Sequence, residues 1–90
     1  DPLPTVIFEA IQHELPVIST CIGGSVEILD NGNGGLLISA DDAFLASEEI
    51  AKYIINKKLV EKKKQFSTFH VKKEFSEEKF NKKILKFFNE

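Results

Sequence analysis

Ninety residues, 42% of them hydrophobic and 29% charged, describe one globular domain or less. A chain of this size buries only about 60–70% of its unfolded surface, which allows one modest core, and no apolar stretch approaches the ~20 residues that a membrane span needs. The net charge of −2 conceals an asymmetry, because residues 1–50 hold nine acids and no lysine while residues 51–90 hold twelve lysines and five acids.

Pro2 and Pro4 keep the opening residues out of a helix. Pro4 also suits the first turn of a helix over Thr5–His13, which is apolar almost all round, as a helix buried between two layers would be. Pro16 ends any helix, and Pro16–Thr20 reads as a short buried strand. Gly23 and Gly24 break the chain before a one- or two-turn helix over Ser25–Leu29. Asn31-Gly-Asn-Gly-Gly35 is a dense turn signal with several positions suited to positive φ.

Leu36–Ile38 forms the second strand. Asp41, Asp42 or Ser47 can cap the next helix, which carries Ile50, Tyr53 and Ile54 at helical spacing. A basic helix follows from about Leu59 to Phe75. Ser76, Glu77 and Glu78 open a last helix whose Phe80, Ile84, Phe87 and Phe88 make one apolar stripe, expected to be core. Two buried-type strands joined through a helix imply a parallel α/β sheet, and such sheets are covered on both faces. Two strands do not make a stable parallel sheet alone. The expectation is therefore the back half of a Rossmann-like, doubly wound domain that ends in helices.

Several function classes fall away at once. Cys21 is the single cysteine, so no internal disulfide or cysteine cluster forms, which fits a reducing compartment. Asp-Pro-Leu-Pro at the start is not a signal peptide. The chain has no methionine, so it is expected to be processed or cut from something longer. Every cation is lysine. Arginine is favoured for bidentate phosphate recognition, so the basic half reads as a solvated surface. The rival reading is a non-catalytic module that binds an acidic membrane surface or nucleic acid through Lys52 to Lys86 and the interleaved phenylalanines.

The strongest site candidate is the start of the first helix. Asp1 lies in the loop before it and Glu9 lies about one turn inside, some 6 Å along the axis at ~1.5 Å per residue. Such a loop sits at the carboxyl ends of the strands, where ligands bind in α/β sheets. The helix start offers unpaired N–H groups to a phosphate. Carboxylates would repel phosphate, so beside it they make sense as holders of paired hydroxyls. Phosphate amides flanked by such carboxylates describe a nucleotide-sugar site. The plainer alternative is a solvent-exposed chain end and a surface glutamate.

Other residues read as structural. His13 suits a helix C-terminus or a packed position. Cys21 is expected to be half-buried and has no evident base. Ser25 lacks the glycine of a nucleophile elbow and reads as a helix-start residue. Glu27 suits the start of its short helix, and a polar role in shaping the site is the other option. His70 has no metal-ligand partner. The glycine turn precedes a strand and is no dinucleotide fingerprint.

The series Asp1, Glu9-Ala10, Leu15-Pro-Val-Ile18, Gly23-Gly24, Glu27-Ile-Leu29, Asn31-Gly-Asn-Gly-Gly35 and Leu36-Leu-Ile38 resembles, in order and spacing, the donor-binding half of retaining glycosyltransferases of the GT-B fold, family 4. The resemblance covers about 38 residues. The lysine-rich remainder looks like the helical end of the same domain. It implies a donor-site α/β segment over 1–40 and C-terminal helices over 41–90, with the front of the domain and an acceptor domain lying outside these residues.

By the resemblance, Asp1 contacts hydroxyls of the donor sugar and Glu9 holds the ribose hydroxyls. Backbone amides around Leu3 and Thr5 face the sugar and the diphosphate. Asp1 stands where glutamate is commoner, which shortens its reach. Pro4 stands where glycine is common, and removes one N–H. The implied partners are a UDP- or GDP-sugar donor, an acceptor sugar or lipid-linked glycan, and the preceding part of its own polypeptide. No nucleic acid, cofactor or metal is implied. A cytoplasmic setting follows, with peripheral association at the inner membrane face. The 90-residue chain alone is expected to be inactive.

Overall fold

The computed structural model describes residues 5–21 and 23–74. Helix α1 spans Thr5–Gln12, strand β1 Ile18–Thr20, helix α2 Gly24–Ile28, strand β2 Leu36–Ile38, helix α3 Ala43–Ile55 and helix α4 Lys57–Glu74. A 3-10 turn at Asp30–Gly32 joins α2 to β2. The order of elements is the one expected from the sequence, and β1 and β2 pair in parallel with Ile18 opposite Leu36 and Thr20 opposite Ile38. The expected last helix and its stripe of Phe80, Ile84, Phe87 and Phe88 lie outside the described residues.

The core gathers Ile7, Phe8 and Ile11 of α1, Val17, and Ile28 and Leu29 at the end of α2. Ala10, Leu37 and Val71 pack on its rim, so α4 reaches the same cluster. Ile28 and Leu29 are wholly enclosed, and each contributes about 1.5–3 kcal/mol from that burial.

Two burial expectations are corrected. The first helix buries one face and not its circumference, since Val6 is 67% exposed. The first strand is not buried either: Ile18 is 38% exposed, Ser19 and Thr20 are half-buried, and Val17 just before the strand is the enclosed residue. The reason is shared. Among the described residues the sheet has two strands, too few to cover both faces of β1.

Local chemistry fixes the ends of the elements. α1 stops well before Pro16 because Glu14 takes a left-handed conformation, φ 57°. Leu15 N then donates to Ala10 O at 2.9 Å and Glu14 N to Ile11 O at 3.0 Å, the Schellman pattern that satisfies the last carbonyls of a helix. Of the three caps considered for α3, Asp42 serves: its carboxylate accepts from Leu45 N at 3.0 Å. Ser47 lies inside the helix and donates to Phe44 O at 2.7 Å. Asn56 separates α3 from α4 and caps the latter, accepting from Leu59 N at 3.2 Å.

The glycine turn does two separate jobs. Asp30, Asn31 and Gly32 supply the positive φ values. Gly34 and Gly35 instead allow close approach, since a Cβ on Gly34 would stand 2.9 Å from Ser67 Cβ and one on Gly35 2.6 Å from Val17 O. The turn thus seats α4 against the sheet.

Candidate functional site

α1 begins at Thr5, so the amides of its first turn have no carbonyl within the helix to bond. Glu9 lies one turn further, at i+4 from Thr5, and both side chains are exposed. Residues at that spacing share a helix face. Of the four residues singled out by the sequence, the structure therefore places Thr5 and Glu9 together at the start of α1; Asp1 and Leu3 lie outside the described residues. The chain turns immediately after α1 through the Leu15–Ala10 bond and leads into β1.

Between β1 and α2 stands a hydroxyl pair that the sequence did not single out as a unit. Ser19 Oγ donates to Ser25 Oγ at 3.1 Å, and Ser25 is buried. Ser25 is the second residue of α2, consistent with its reading as a helix-start residue. The spacing of six residues across Gly23 and Gly24 offers no sequence signal for this pairing. Glu27 is exposed in the same short helix.

Depressions on the described surface lie on either side of α1. One, of about 350 Å³, is lined by Val6, Ala10, Pro16, Ile18, Ser19 and Ser25 among others, between α1 and β1. The other, of about 320 Å³, lies between the end of α1 and α4 and mixes Glu14, Lys64, Gln65, Thr68, Phe69 and Lys72. Thr5 and Glu9 line neither.

The remaining candidates settle as follows. Cys21 is exposed, not half-buried, because the chain leaves the sheet at that residue while its N–H still donates to Ile38 O. His13 is exposed past the end of α1. His70 stacks on Phe66 with centroids 5.7 Å apart. No cluster of metal-ligating side chains occurs among the described residues. No helix of the described residues is long and apolar enough to cross a membrane.

Among the described residues the basic half is mostly solvated, with Lys57, Lys58, Lys62, Lys72 and Lys73 exposed. Two lysines are instead structural. Lys63 Nζ donates to Gly35 O at 3.2 Å and stands 5.6 Å from the Tyr53 ring centroid, and Lys64 pairs with Glu61 at 3.0 Å.

Comparison with known proteins bears on residues 1–68, which match the family model of the glycosyl transferases group 1. A probable sucrose-phosphate synthase of Thermosipho melanesiensis is 52% identical over 44 residues, covering 49% of this chain and 10% of that protein. Sucrose-phosphate synthase 4 of Arabidopsis thaliana is 34% identical over 59 residues, covering 66% of this chain and 6% of that protein. A sucrose-phosphate synthase of Zea mays is 32% identical over the same length, again 66% of this chain and 6% of the other. The chain thus spans a tenth or less of the length of these relatives. No solved structure matches it. The family model covers well over half of the chain, including both strands and the start of α1: the chain belongs to the glycosyl transferases group 1 and is a segment of a family 4 glycosyltransferase.

Proposed function

We propose that this chain contributes the donor-holding part of a glycosyltransferase that moves a sugar from a nucleotide-diphosphate sugar to an acceptor with retention of configuration. Glu9 accepts the ribose hydroxyls of the nucleotide, and Asp1 accepts hydroxyls of the donor sugar. The amides around Leu3 and Thr5 face the sugar and the diphosphate. The observation that carries this reading is an exposed Glu9 one turn inside α1, at i+4 from the exposed Thr5, in a chain of this family.

The physical logic is a division of labour. A helix start stabilises the phosphate end of the donor through its free amides and partial positive charge. Carboxylates fix the hydroxyl-bearing ends, each charged hydrogen bond adding about 1.5–3 kcal/mol. Departure of the nucleoside diphosphate needs cationic groups close to the developing charge. Those groups belong, in this reading, to the preceding part of the polypeptide. The relatives are named sucrose-phosphate synthases, which favours hexosyl transfer to a sugar phosphate over transfer to a lipid-linked glycan. The setting is cytoplasmic.

The test is a titration of the whole polypeptide with UDP- and GDP-sugars, with and without Glu9→Ala. Loss of one bidentate carboxylate is expected to weaken donor binding about ten- to a hundredfold, with an unchanged melting temperature because Glu9 is exposed. Raising the salt should change donor affinity little. Equal donor affinity for the two proteins sinks the assignment of Glu9. Salt-sensitive binding to anionic vesicles or oligonucleotide in place of donor would transfer the function to the exposed lysines.

A further inference from the structure

The depression between the end of α1 and α4 joins groups that the donor reading does not use. α4 supplies Gln65, Thr68, Phe69 and Lys72, at spacings of three and four that fall on one helix face. Phe69 is 65% exposed, which leaves its ring open to solvent. Glu14, just past α1, supplies a carboxylate.

Glu14 is costly at that position on two counts. Its φ of 57° is a left-handed conformation that glycine adopts without penalty at the end of a helix. Its carboxylate also stands at a helix C-terminus, where the macrodipole favours cations. No ion pair offsets this. Among the described residues the pair in the depression joins Lys64 to Glu61 at 3.0 Å, and neither Glu14 nor Lys72 takes part in one. A strained residue kept at the wall of a concavity points to a ligand that uses it.

The lining also selects the chemistry of that ligand. A small anion meets the carboxylates of Glu14 and Glu61, and a cation meets Lys64 and Lys72. No group of metal-ligating side chains occurs among the described residues. A neutral ring with hydroxyls on its edge and C–H groups on its faces suits all the parts together. The carboxylate accepts from hydroxyls, the ammonium donates to their oxygens, and the Gln65 amide does both. Thr68 Oγ1 donates to Lys64 O at 3.1 Å and keeps its acceptor capacity. An aromatic ring covers the C–H face. The volume, about 320 Å³, is that of a small-molecule site.

We propose that this depression is a second carbohydrate site, which holds one neutral pyranose unit of a saccharide against Phe69 through Glu14, Gln65 and Lys72. It lies apart from the donor reading. α1 is eight residues long, so at about 1.5 Å per residue its ends stand roughly 12 Å apart, and Thr5 and Glu9 do not line the depression. The site binds and makes no covalent step. It anchors a saccharide chain on the molecule, and it goes beyond the donor assignment without resting on it.

Residue-resolved amide shifts of the whole polypeptide, titrated with maltose as an uncharged two-ring probe, test the proposal. Gln65, Thr68 and Phe69 are expected to shift together and to saturate in the millimolar range. Phe69→Ala should weaken this binding about tenfold, and Phe69→Tyr should restore it. Glu14→Gln should weaken it about fivefold, since a neutral acceptor replaces a charged one. Both side chains are exposed, so the melting temperature should hold. Equal maltose affinity for Phe69→Ala overturns the proposal. So do amides that move with inorganic phosphate or glycine but not with maltose, and so do maltose shifts confined to the start of α1. Donor affinity against Glu9→Ala is a separate readout, so failure of that assignment leaves this result standing.

Discussion

Gly35 is the residue on which the packing of the sheet turns. Its missing Cβ lets the chain pass Val17 O at a distance no side chain tolerates, and Leu36 N then reaches the same oxygen to begin the β1–β2 ladder. Gly35→Ala is expected to cost about 1–3 kcal/mol, the usual range for overpacking, read as a lower urea midpoint with unchanged slope. The cluster of glycines announces a turn from sequence alone. That Gly35 serves proximity and Gly32 serves positive φ is visible only when Val17 is beside it, because the contact joins residues eighteen positions apart.

Tyr53 shows the opposite relation. Its ring is 4% exposed and its hydroxyl has no partner among the described residues. Burial pushes the phenol above its ordinary pKa of 10.0. The folded state therefore holds its proton where the unfolded state releases it, so stability is intact below about pH 10 and falls as pH rises beyond it. Tyr53→Phe should abolish this tyrosine contribution to alkaline loss. It should also raise stability at neutral pH by about 1 kcal/mol, by removing an unsatisfied buried hydroxyl. Denaturation of both proteins at pH 7 and above pH 10 checks the sign; a greater loss for the phenylalanine variant at neutral pH would reveal a partner for the hydroxyl.

At the scale of elements, each helix is bounded by chemistry that the sequence partly displays. Asp42 and Asn56 are recognisable cap residues, and both cap through the third amide of their helix. The end of α1 is less legible. Pro16 suggests where the helix must already have stopped, but the stop itself is the left-handed Glu14, a residue type with no preference for that conformation. Its cost is about 1–2 kcal/mol. Glu14→Gly should recover part of this, raising the melting temperature by a few degrees for a domain of this size. An unchanged or lower value would mean that the Glu14 side chain, beside Lys64 and Lys72 in the neighbouring depression, offsets the strain. The basic helix teaches a related point. Lys63 and Lys64 look like their neighbours in sequence, yet Lys63 ties α4 to Gly35 and Lys64 pairs with Glu61 within the helix, while the exposed lysines meet water.

At the scale of the whole molecule, the chain is a parallel α/β piece in which, among the described residues, β1 pairs with β2 alone. The cations that the proposed donor site needs to stabilise a departing diphosphate are absent from α1, which holds no lysine or arginine. The 90-residue chain by itself is accordingly expected to show no sugar transfer from UDP- or GDP-sugars, and the whole polypeptide is expected to transfer. Turnover by the short chain above a buffer blank would overturn the division of labour proposed for the site.

The sequence by itself determined the element order, the parallel α/β class, the turn at 31–35, the helix start carrying Glu9, and the family series that runs through them. These are local signals: side-chain periodicity, caps, glycine and proline, whose effects act within a few residues. The tertiary structure alone decided that Val6 and Ile18 are open to water, that Cys21 lies exposed, that Ser19 meets Ser25, and that Gly35 yields to Val17. Burial and contact depend on which distant segments arrive at a surface, and an apolar residue looks the same in sequence whether or not anything comes to cover it.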